Sequence, residues 1–230
     1  MNNKYCLSDF IYFNLHSHKL FQNENSKFTI NSYDIHELQN FNPESPYTIG
    51  FHPWYLNNNS FKLIEKLEEY TKNPLCYGVG EAGLDKLKGS TIDIQEVFFK
   101  LQIDLSNRIS KPLILHIVKA YSELDFYIKK YFRDVPWIIH GFYSSVDIAE
   151  NLINKGLYLS FSYKAINSGK YTYLFQKYSP EFYFFETDDD SCDIEILYQT
   201  FSSLYGYSLE DTSNGQKKLY NLIFKDKFRI

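Results

Sequence analysis

The chain has 230 residues, a formal net charge of −4 and an aromatic content of 19%. This length suits one domain, and the acidic balance gives no overall attraction to nucleic acid, so a polyanionic partner would need local basic residues or bound metal ions. Cys6, Cys76 and Cys192 are widely spaced without a C-x-x-C pair, which argues against a disulfide framework and a thiolate zinc site.

The chain shows no membrane or export signal. No stretch approaches 18 uninterrupted apolar residues, and Met1–Tyr12 has neither the basic start nor the apolar segment of a signal peptide. We therefore expect a cytoplasmic protein with no membrane association and no evident obligate protein partner. Residues 1–230 are expected to form a single domain.

Eight segments are predicted to be buried strands because they are runs of β-branched and aromatic residues. In chain order they are Ile11–Leu15, Phe28–Tyr33, Tyr47–Phe51, Leu75–Val79, Leu113–Ile117, Trp137–His140, Leu157–Phe161 and Phe182–Phe185. Between most of them the spacing of apolar residues predicts helices. These are Phe61–Thr71 with Ser60 as N-cap, Ile94–Ile109 with Val97 on its apolar face, Glu123–Phe132, Val146–Asn154 and Ile194–Tyr205.

Alternating strands and helices predict an α/β fold with a parallel sheet. Eight strands favour a single-domain (β/α)8 TIM-type barrel over an open doubly wound sheet, and no glycine-rich phosphate loop follows the first strand. The tail Leu209–Ile230 is predicted to be a pair of closing helices whose apolar residues cover the barrel. Those residues are Leu219, Leu222, Ile223 and Phe224.

Histidines and acids recur where the predicted strands end. The set comprises His16, His18, His52, Glu81, His116, His140 and Asp188. A single histidine at a strand end is more often structural than a ligand, but seven such placements are difficult to explain that way. In a parallel barrel these side chains converge on the face where active sites lie. His36, outside this pattern, is expected to be a surface or loop residue.

The spacing of these residues predicts a two-metal centre. His16 and His18 point to the same side of an extended chain, and Glu81 and Asp188 supply oxygen donors. His116 and His140 provide a second pair of nitrogens, and Glu81 is placed to bridge. A two-metal site of this kind generates hydroxide at neutral pH and stabilises attacking and leaving oxygens.

The ordered motifs resemble those of the TatD family of metal-dependent deoxyribonucleases, within the amidohydrolase-like hydrolases. The resemblance covers about Ile11 to Asp188, with a weaker similarity at Asn221–Phe224. The motifs are H-x-H at His16 and His18, G-x-H-P at Gly50–Pro53, G-E-x-G-L-D at Gly80–Asp85, Q-x-V-F at Gln95–Phe98, P-x-x-x-H at Pro112–His116, I-H-G-F at Ile139–Phe142, S-F at Ser160–Phe161, and E-T-D at Glu186–Asp188.

The resemblance implies a TIM-type barrel that binds two divalent metal ions (Mg, Mn or Zn) and hydrolyses phosphodiester bonds, typically trimming DNA from the 3′ end. One ion would be held by His16, His18, Glu81 and Asp188, and the other by Glu81, His116 and His140. Asp188 would also take the proton from the attacking water, and His52 would contact substrate phosphate or order the surrounding shell.

Three departures from the family pattern affect the expected substrate. Asn14 replaces an Asp two residues before the first histidine, and Val118 replaces an Arg two residues after His116. Losing that Arg removes a fork-shaped phosphate donor, which Lys86 and Lys119 would partly replace. In place of S-P-Y-L, the chain continues from Asp188 with two further acids, Asp189 and Asp190, followed by Ser191 and Cys192, and those acids repel phosphate unless neutralised.

Three functions therefore stay open from the sequence. The first is a deoxyribonuclease acting on DNA or another phosphodiester. The second keeps the metals but hydrolyses an ester or amide, including a tRNA-linked one. The third is a non-catalytic metal-binding protein, which the intact ligand set disfavours.

Overall fold

The computed structural model describes residues 11–19, 26–38, 41–131 and 134–225. Within them, eight parallel strands follow one another in sequence order. The strands are β1 (Tyr12–Ser17), β2 (Lys27–Asp34), β3 (Tyr47–Gly50), β4 (Cys76–Asp85), β5 (Leu113–Val118), β6 (Trp137–Ile139), β7 (Tyr158–Phe161) and β8 (Phe184–Phe185). All eight predicted strands are confirmed, with shifts of one or two residues at most of their ends and a longer extension of β4.

The sheet curls into a nearly closed barrel. β8 pairs with β7 through Phe184 and Phe185, and a parallel bridge between Ser17 and Asp188 brings the end of β1 beside the chain that follows β8. The predicted TIM-type architecture is therefore confirmed, and Asp188 lies at the closing seam.

Helices surround the strands. They are α1 (Ile64–Thr71), α2 (Ile92–Ile109), α3 (Tyr121–Lys130), α4 (Val146–Asn154), α5 (Tyr163–Asn167), α6 (Thr172–Lys177), α7 (Ile194–Tyr205) and α8 (Leu209–Phe224). The sequence did not predict α5 and α6, which are too short to show a periodic apolar face. The predicted end of α3 at Phe132 lies outside the described residues. In the described part of the chain, no helix combines the length and the apolar character needed to cross a membrane.

The predicted helix pair at the end of the chain is wrong for the described residues, which form the single helix α8. Its Leu219, Ile223 and Phe224 are buried against side chains from the amino-terminal ends of the strands. Leu222, however, is 68% exposed and does not cover the barrel. Because α8 closes the amino-terminal end, the carboxyl ends of the strands form the mouth.

Two local predictions also need correction. Val97 lies on the outer side of α2, where it is half exposed. Ser60 is not the N-cap of an α-helix but opens a 3-10 turn, Ser60–Leu63, that precedes α1.

β4 extends well beyond its predicted end at Val79 because two glycines let it approach β5. A Cβ on Gly80 would lie 2.5 Å from the carbonyl oxygen of Ile114, and one on Gly83 would lie 2.0 Å from that of His116. Both glycines have positive φ values, 148° and 151°, which L side chains rarely adopt. The extension carries Glu81 and Asp85 into the mouth.

Candidate metal centre

The structure brings the six predicted metal ligands together around the Glu81 carboxylate, which is 4% exposed. Its two oxygens face different groups of imidazoles. Oε1 lies 3.4 Å from His16 Nε2 and 3.0 Å from His18 Nε2. Oε2 lies 2.6 Å from His140 Nε2 and 3.6 Å from His116 Nδ1. Glu81 therefore lies between two groups of imidazoles, with one carboxylate oxygen facing each group.

Asp188 completes the first group. Its Oδ1 lies 3.7 Å from His16 Nε2 and 3.5 Å from His18 Nε2. Its backbone N–H donates to the His16 carbonyl oxygen at 3.0 Å, so the closing seam of the barrel fixes its position. Unlike Glu81, the Asp188 side chain is one-third exposed. Asp188 is thus accessible to water while remaining within the cluster.

The donor set fits divalent cations. His16 Nε2 and His18 Nε2 lie 3.4 Å apart, and His116 Nδ1 and His140 Nε2 are separated by the same distance. Ligand atoms from His16, His18 and Glu81, and separately from His16, His140 and Asp188, lie within 4.8 Å of one another. Imidazole nitrogens combined with carboxylate oxygens are typical ligands of Zn and Mn and, where oxygens dominate, of Mg.

The ionisation of the cluster also suits a cation. Burial opposes the charge on Glu81, but the imidazoles of His140 and His16 hold the pKa of its carboxyl well below its usual range. Burial, assisted by His140, lowers the pKa of His16. Burial likewise opposes a charge on His140, yet the Glu81 carboxylate raises the pKa of His140 to about 10. An ionised Glu81 between imidazoles therefore attracts either protons or a metal ion.

Asp85 fixes the orientation of His116 and was not among the predicted site residues. Its Oδ2 accepts hydrogen bonds from His116 Nε2 at 3.1 Å and from Trp54 Nε1 at 2.6 Å. Because a carboxylate only accepts, the His116 proton lies on Nε2 and the lone pair of Nδ1 faces Glu81. Gln95 holds the Asp85 backbone through both its amide atoms. Asp85 ends the G-E-x-G-L-D motif, so extending β4 by six residues would have identified it.

His52 lies beside the second group of imidazoles, and the protonated nitrogen of its ring faces that group. Its Nδ1 accepts the backbone N–H of Trp54 at 3.1 Å, which leaves Nε2 as the protonated nitrogen of the neutral ring. Nε2 lies 3.3 Å from Glu81 Oε2. The arrangement suits a residue that orders the shell rather than a metal ligand.

Asn14 connects β1 to the segment that carries Asp188. Its Nδ2 donates to Thr187 Oγ1 at 2.9 Å, and its Oδ1 accepts the Thr187 backbone N–H at 3.0 Å. An Asp at this position would lack the first donor. Asn14, which replaces the family's Asp, thus donates one hydrogen bond to Thr187 and accepts another from it beside the site. The replacement leaves the proposed metal ligands in place.

Glu186 is a further buried acid that the sequence did not single out for the site. Its Oε1 accepts the backbone N–H of Gly141 at 2.5 Å and lies 3.9 Å from His140 Nδ1. Burial raises the pKa of Glu186 to about 7. It lies behind His140, on the side away from Glu81.

His36, expected to be a surface or loop residue, lies in the connection between β2 and β3, and its side chain is 15% exposed. Its Nδ1 lies 2.7 Å from Asp34 Oδ1 and its Nε2 lies 2.7 Å from Ser60 Oγ. The resulting Asp–His–Ser series resembles the triad of a serine nucleophile. Ser60 is fully buried and its Oγ also accepts the Asn57 N–H, so no substrate reaches it. Asp34 Oδ2 accepts the backbone N–H of His52, and the network therefore supports the site structurally.

A cleft of about 210 Å³ opens beside the cluster, and its lining contains no Lys or Arg among the described residues. The charged side chains that line it with Glu81 are Asp34, Glu37 and Asp189. Lys86 lies outside and is paired with Glu123 at 2.6 Å, so its charge is partly offset. Lys119 is exposed just after β5. The structure therefore brings neither predicted lysine into the cleft.

A profile of the family described as TatD related DNase matches residues 17–192. The chain belongs to the TatD family. A putative deoxyribonuclease TATDN1 homolog of Enterocytozoon bieneusi is 28% identical over 76% of this chain and 65% of its own length. Deoxyribonuclease Tat-D of Schizosaccharomyces pombe is 27% identical over 64% of this chain and 52% of its own. An uncharacterized metal-dependent hydrolase of Buchnera aphidicola is 28% identical over 49% of this chain and 43% of its own. The chain thus spans less than two thirds of each of these TatD-related proteins.

Solved structures of the family share the fold. The TatD homolog YJJV of Escherichia coli superposes with a TM-score of 0.71 at 19% identity, covering 86% of both chains. A TatD family hydrolase of Entamoeba histolytica superposes with a TM-score of 0.73 at 15% identity, covering 94% of this chain and 98% of its own. At such identities the likeness establishes the barrel only.

Proposed function

We propose that this TatD family member is a metal-dependent hydrolase of phosphodiester bonds, a deoxyribonuclease that removes nucleotides from the 3′ end of DNA. The observation that carries the proposal is the Glu81 carboxylate, whose two oxygens face two separate imidazole pairs. This arrangement suits a bridging ligand between two divalent ions, and the deoxyribonuclease names of two relatives support the substrate.

The proposed ligands form two sets that share Glu81. His16, His18 and Asp188 would complete the first set, and His116 and His140 the second, for Mg, Mn or Zn. When bound, such a pair lowers the pKa of water and stabilises charge on attacking and leaving oxygens.

The chain's own residues would supply the remaining functions. Asp188 is the proposed base that takes the proton from the attacking water, because it is the partly exposed acid of the cluster. His52 keeps Glu81 oriented through its Nε2 proton. Lys86 and Lys119 are the proposed phosphate contacts at the mouth, although the pairing of Lys86 with Glu123 requires it to exchange partners.

One observation favours a second function on the same centre. The cleft beside Glu81 is lined by acids, and Val118 stands where the family usually has Arg. A neutral or cationic ester or amide, such as the aminoacyl end of a tRNA, would enter that cleft with less repulsion than a phosphodiester. A non-catalytic metal-binding protein is the third possibility.

Digestion of end-labelled single-stranded DNA tests the proposal. Wild-type protein and Asp188→Asn are incubated with 3′-labelled and 5′-labelled strands in Mg, Mn or Zn, and bound metal is counted in both proteins. We expect stepwise shortening from the 3′ end by the wild type alone, with metal retained at the His116 and His140 set of the variant. Intact DNA in every metal, from a wild type that binds two ions, would instead favour the ester or amide hydrolase.

A further inference from the structure

We propose that the exposed ring of Tyr143 and the two lysines beside it, Lys164 and Lys170, form a binding surface for single-stranded DNA next to the catalytic site. The inference rests on the proposed function, since it specifies where the strand lies. None of these three residues belongs to the motifs that carry the family resemblance.

The surface lies at the mouth of the barrel. Tyr143 comes three residues after His140, at the carboxyl end of β6, and Lys164 lies in α5, just beyond the carboxyl end of β7. Gly141 is next to the site, because a Cβ on it would lie 4.0 Å from Asp188 Oδ2. Two residues of chain reach at most about 7 Å, so Tyr143 lies close enough to contact a nucleotide adjacent to the scissile bond.

The chemistry of the surface matches a single strand. The Tyr143 ring is 47% exposed, and the ammonium groups of Lys164 and Lys170 lie 5.1 Å and 4.6 Å from its centroid. Neither lysine forms an ion pair within the described residues, so both ammonium charges are available to an anionic ligand. An exposed aromatic ring stacks on any base, and unpaired lysines offset phosphate charge.

The rest of the mouth directs a strand to this side. Asp34, Glu37 and Asp189 line the cleft on the side of β1, β2 and β8 and repel phosphates. On the β6 and β7 side, Lys164 and Lys170 flank the exposed ring of Tyr143. This arrangement explains how an acidic chain without the family's Arg would still hold a polyanion.

Binding of fluorescein-labelled oligothymidylate tests the surface, with Asp188→Asn as the background that prevents digestion. Anisotropy is followed over a range of salt concentrations. Tyr143→Ala should weaken binding about 10-fold, whereas Tyr143→Phe should change it by less than about twofold, since stacking needs only the ring. Lys164→Ala with Lys170→Ala should reduce the slope of log affinity against log salt by about 1.4, or about 0.7 per lysine.

The chain provides a matched control. Phe126 is 53% exposed with Lys130 at 4.9 Å from its ring, on α3, whose last residues lie near the amino-terminal end of the barrel. Phe126→Ala and Lys130→Ala should leave both affinity and salt slope unchanged. Linear polyphosphate, which has no bases, should lose affinity with the double lysine variant but not with Tyr143→Ala.

The outcomes separate this inference from the proposed function. Unchanged affinity and salt slope in Tyr143→Ala and in the double lysine variant would overturn the surface, even if the wild type digests DNA. Loss of affinity in these variants, from a wild type that binds DNA but does not cleave it, would support the surface and contradict the nuclease. If the double alanine variant fails to fold, Lys164→Gln with Lys170→Gln keeps the side-chain length and decides the question.

Discussion

Asp85→Asn is expected to weaken one metal site and spare the other. Asp85 accepts four hydrogen bonds, from His116 Nε2 and Trp54 Nε1 at Oδ2, and from the backbone N–H groups of Leu87 and Lys88 at Oδ1. The Asn side chain replaces one acceptor oxygen with an NH2 group, which must then face the N–H groups that donated to Asp85. With the NH2 group at the Oδ2 position, the His116 bond is lost, or His116 changes tautomer and carries its proton on Nδ1, toward Glu81. With the NH2 group at the Oδ1 position, the bonds from Leu87 and Lys88 are lost and the turn that positions residue 85 is weakened.

The magnitude follows from the role of Asp85 as the partner that orients a proposed ligand. Loss of such a partner typically lowers metal affinity by about 10- to 100-fold, which corresponds to about 1.4 to 2.7 kcal/mol. The site that contains His116 and His140 should show this loss. The site that contains His16 and His18 has no contact with Asp85 among the described residues and should keep its affinity.

Calorimetric titration of metal-free protein with Mn or Zn measures the two sites separately. Asp93→Asn makes the same chemical change in the exposed first turn of α2 and serves as the control. Far-UV circular dichroism shows whether Asp85→Asn remains folded. If Asp85→Asn binds two ions with wild-type affinities, the assignment of His116 Nδ1 as a ligand is wrong.

Three further predictions concern the same cluster. Glu81→Ala should lose both ions, as counted by elemental analysis, whereas loss of one alone would contradict a bridging role. In chelator-treated protein, the charged imidazole of His140 beside Glu81 stabilises the fold below the unfolded-state pKa of about 6.5, and this contribution disappears as the pH rises toward about 10. Metal ions compete with protons for His18 and His140, so metal-loaded protein should show the opposite trend. The rise in melting temperature caused by metal should be larger at pH 9 than at pH 6, and equal rises at the two pH values would refute proton competition. Asn14→Ala should destabilise the fold by about 1–3 kcal/mol in denaturant titrations, since it leaves buried polar atoms of Thr187 unpaired, and an unchanged midpoint would show that water replaces them.

The sequence predicted the barrel and the identity of the cluster because both depend on local patterns. Short apolar runs mark buried strands, and His16, His18, Glu81 and His140 follow such runs directly. Parallel strands then bring their carboxyl ends to one face whatever the details of packing. The TatD motifs added their order along the chain.

The remaining features depend on contacts between distant segments. β4 continues past two glycines because β5 approaches closely there, which no local propensity indicates. Gly215 lies inside α8, although glycine is a poor helix former, because a Cβ there would lie 2.9 Å from Pro180. The tautomer of His116 follows from Asp85, on the neighbouring strand. The partly buried position of His36 follows from its contact with Ser60, in the next connection.

If the proposed phosphodiester is the substrate, the distribution of charge at the mouth would explain how an acidic chain acts on an anion. The proposed ligands contribute two carboxylates, Glu81 and Asp188, so two divalent ions would leave the centre with a net charge of about +2. A phosphodiester is therefore attracted to the centre itself, while the acids of the neighbouring cleft repel the rest of the strand. Lys164 and Lys170 supply positive charge on the opposite side of the mouth. If the nuclease proposal holds, the net charge of −4 does not oppose catalysis but helps to determine from which side the strand enters.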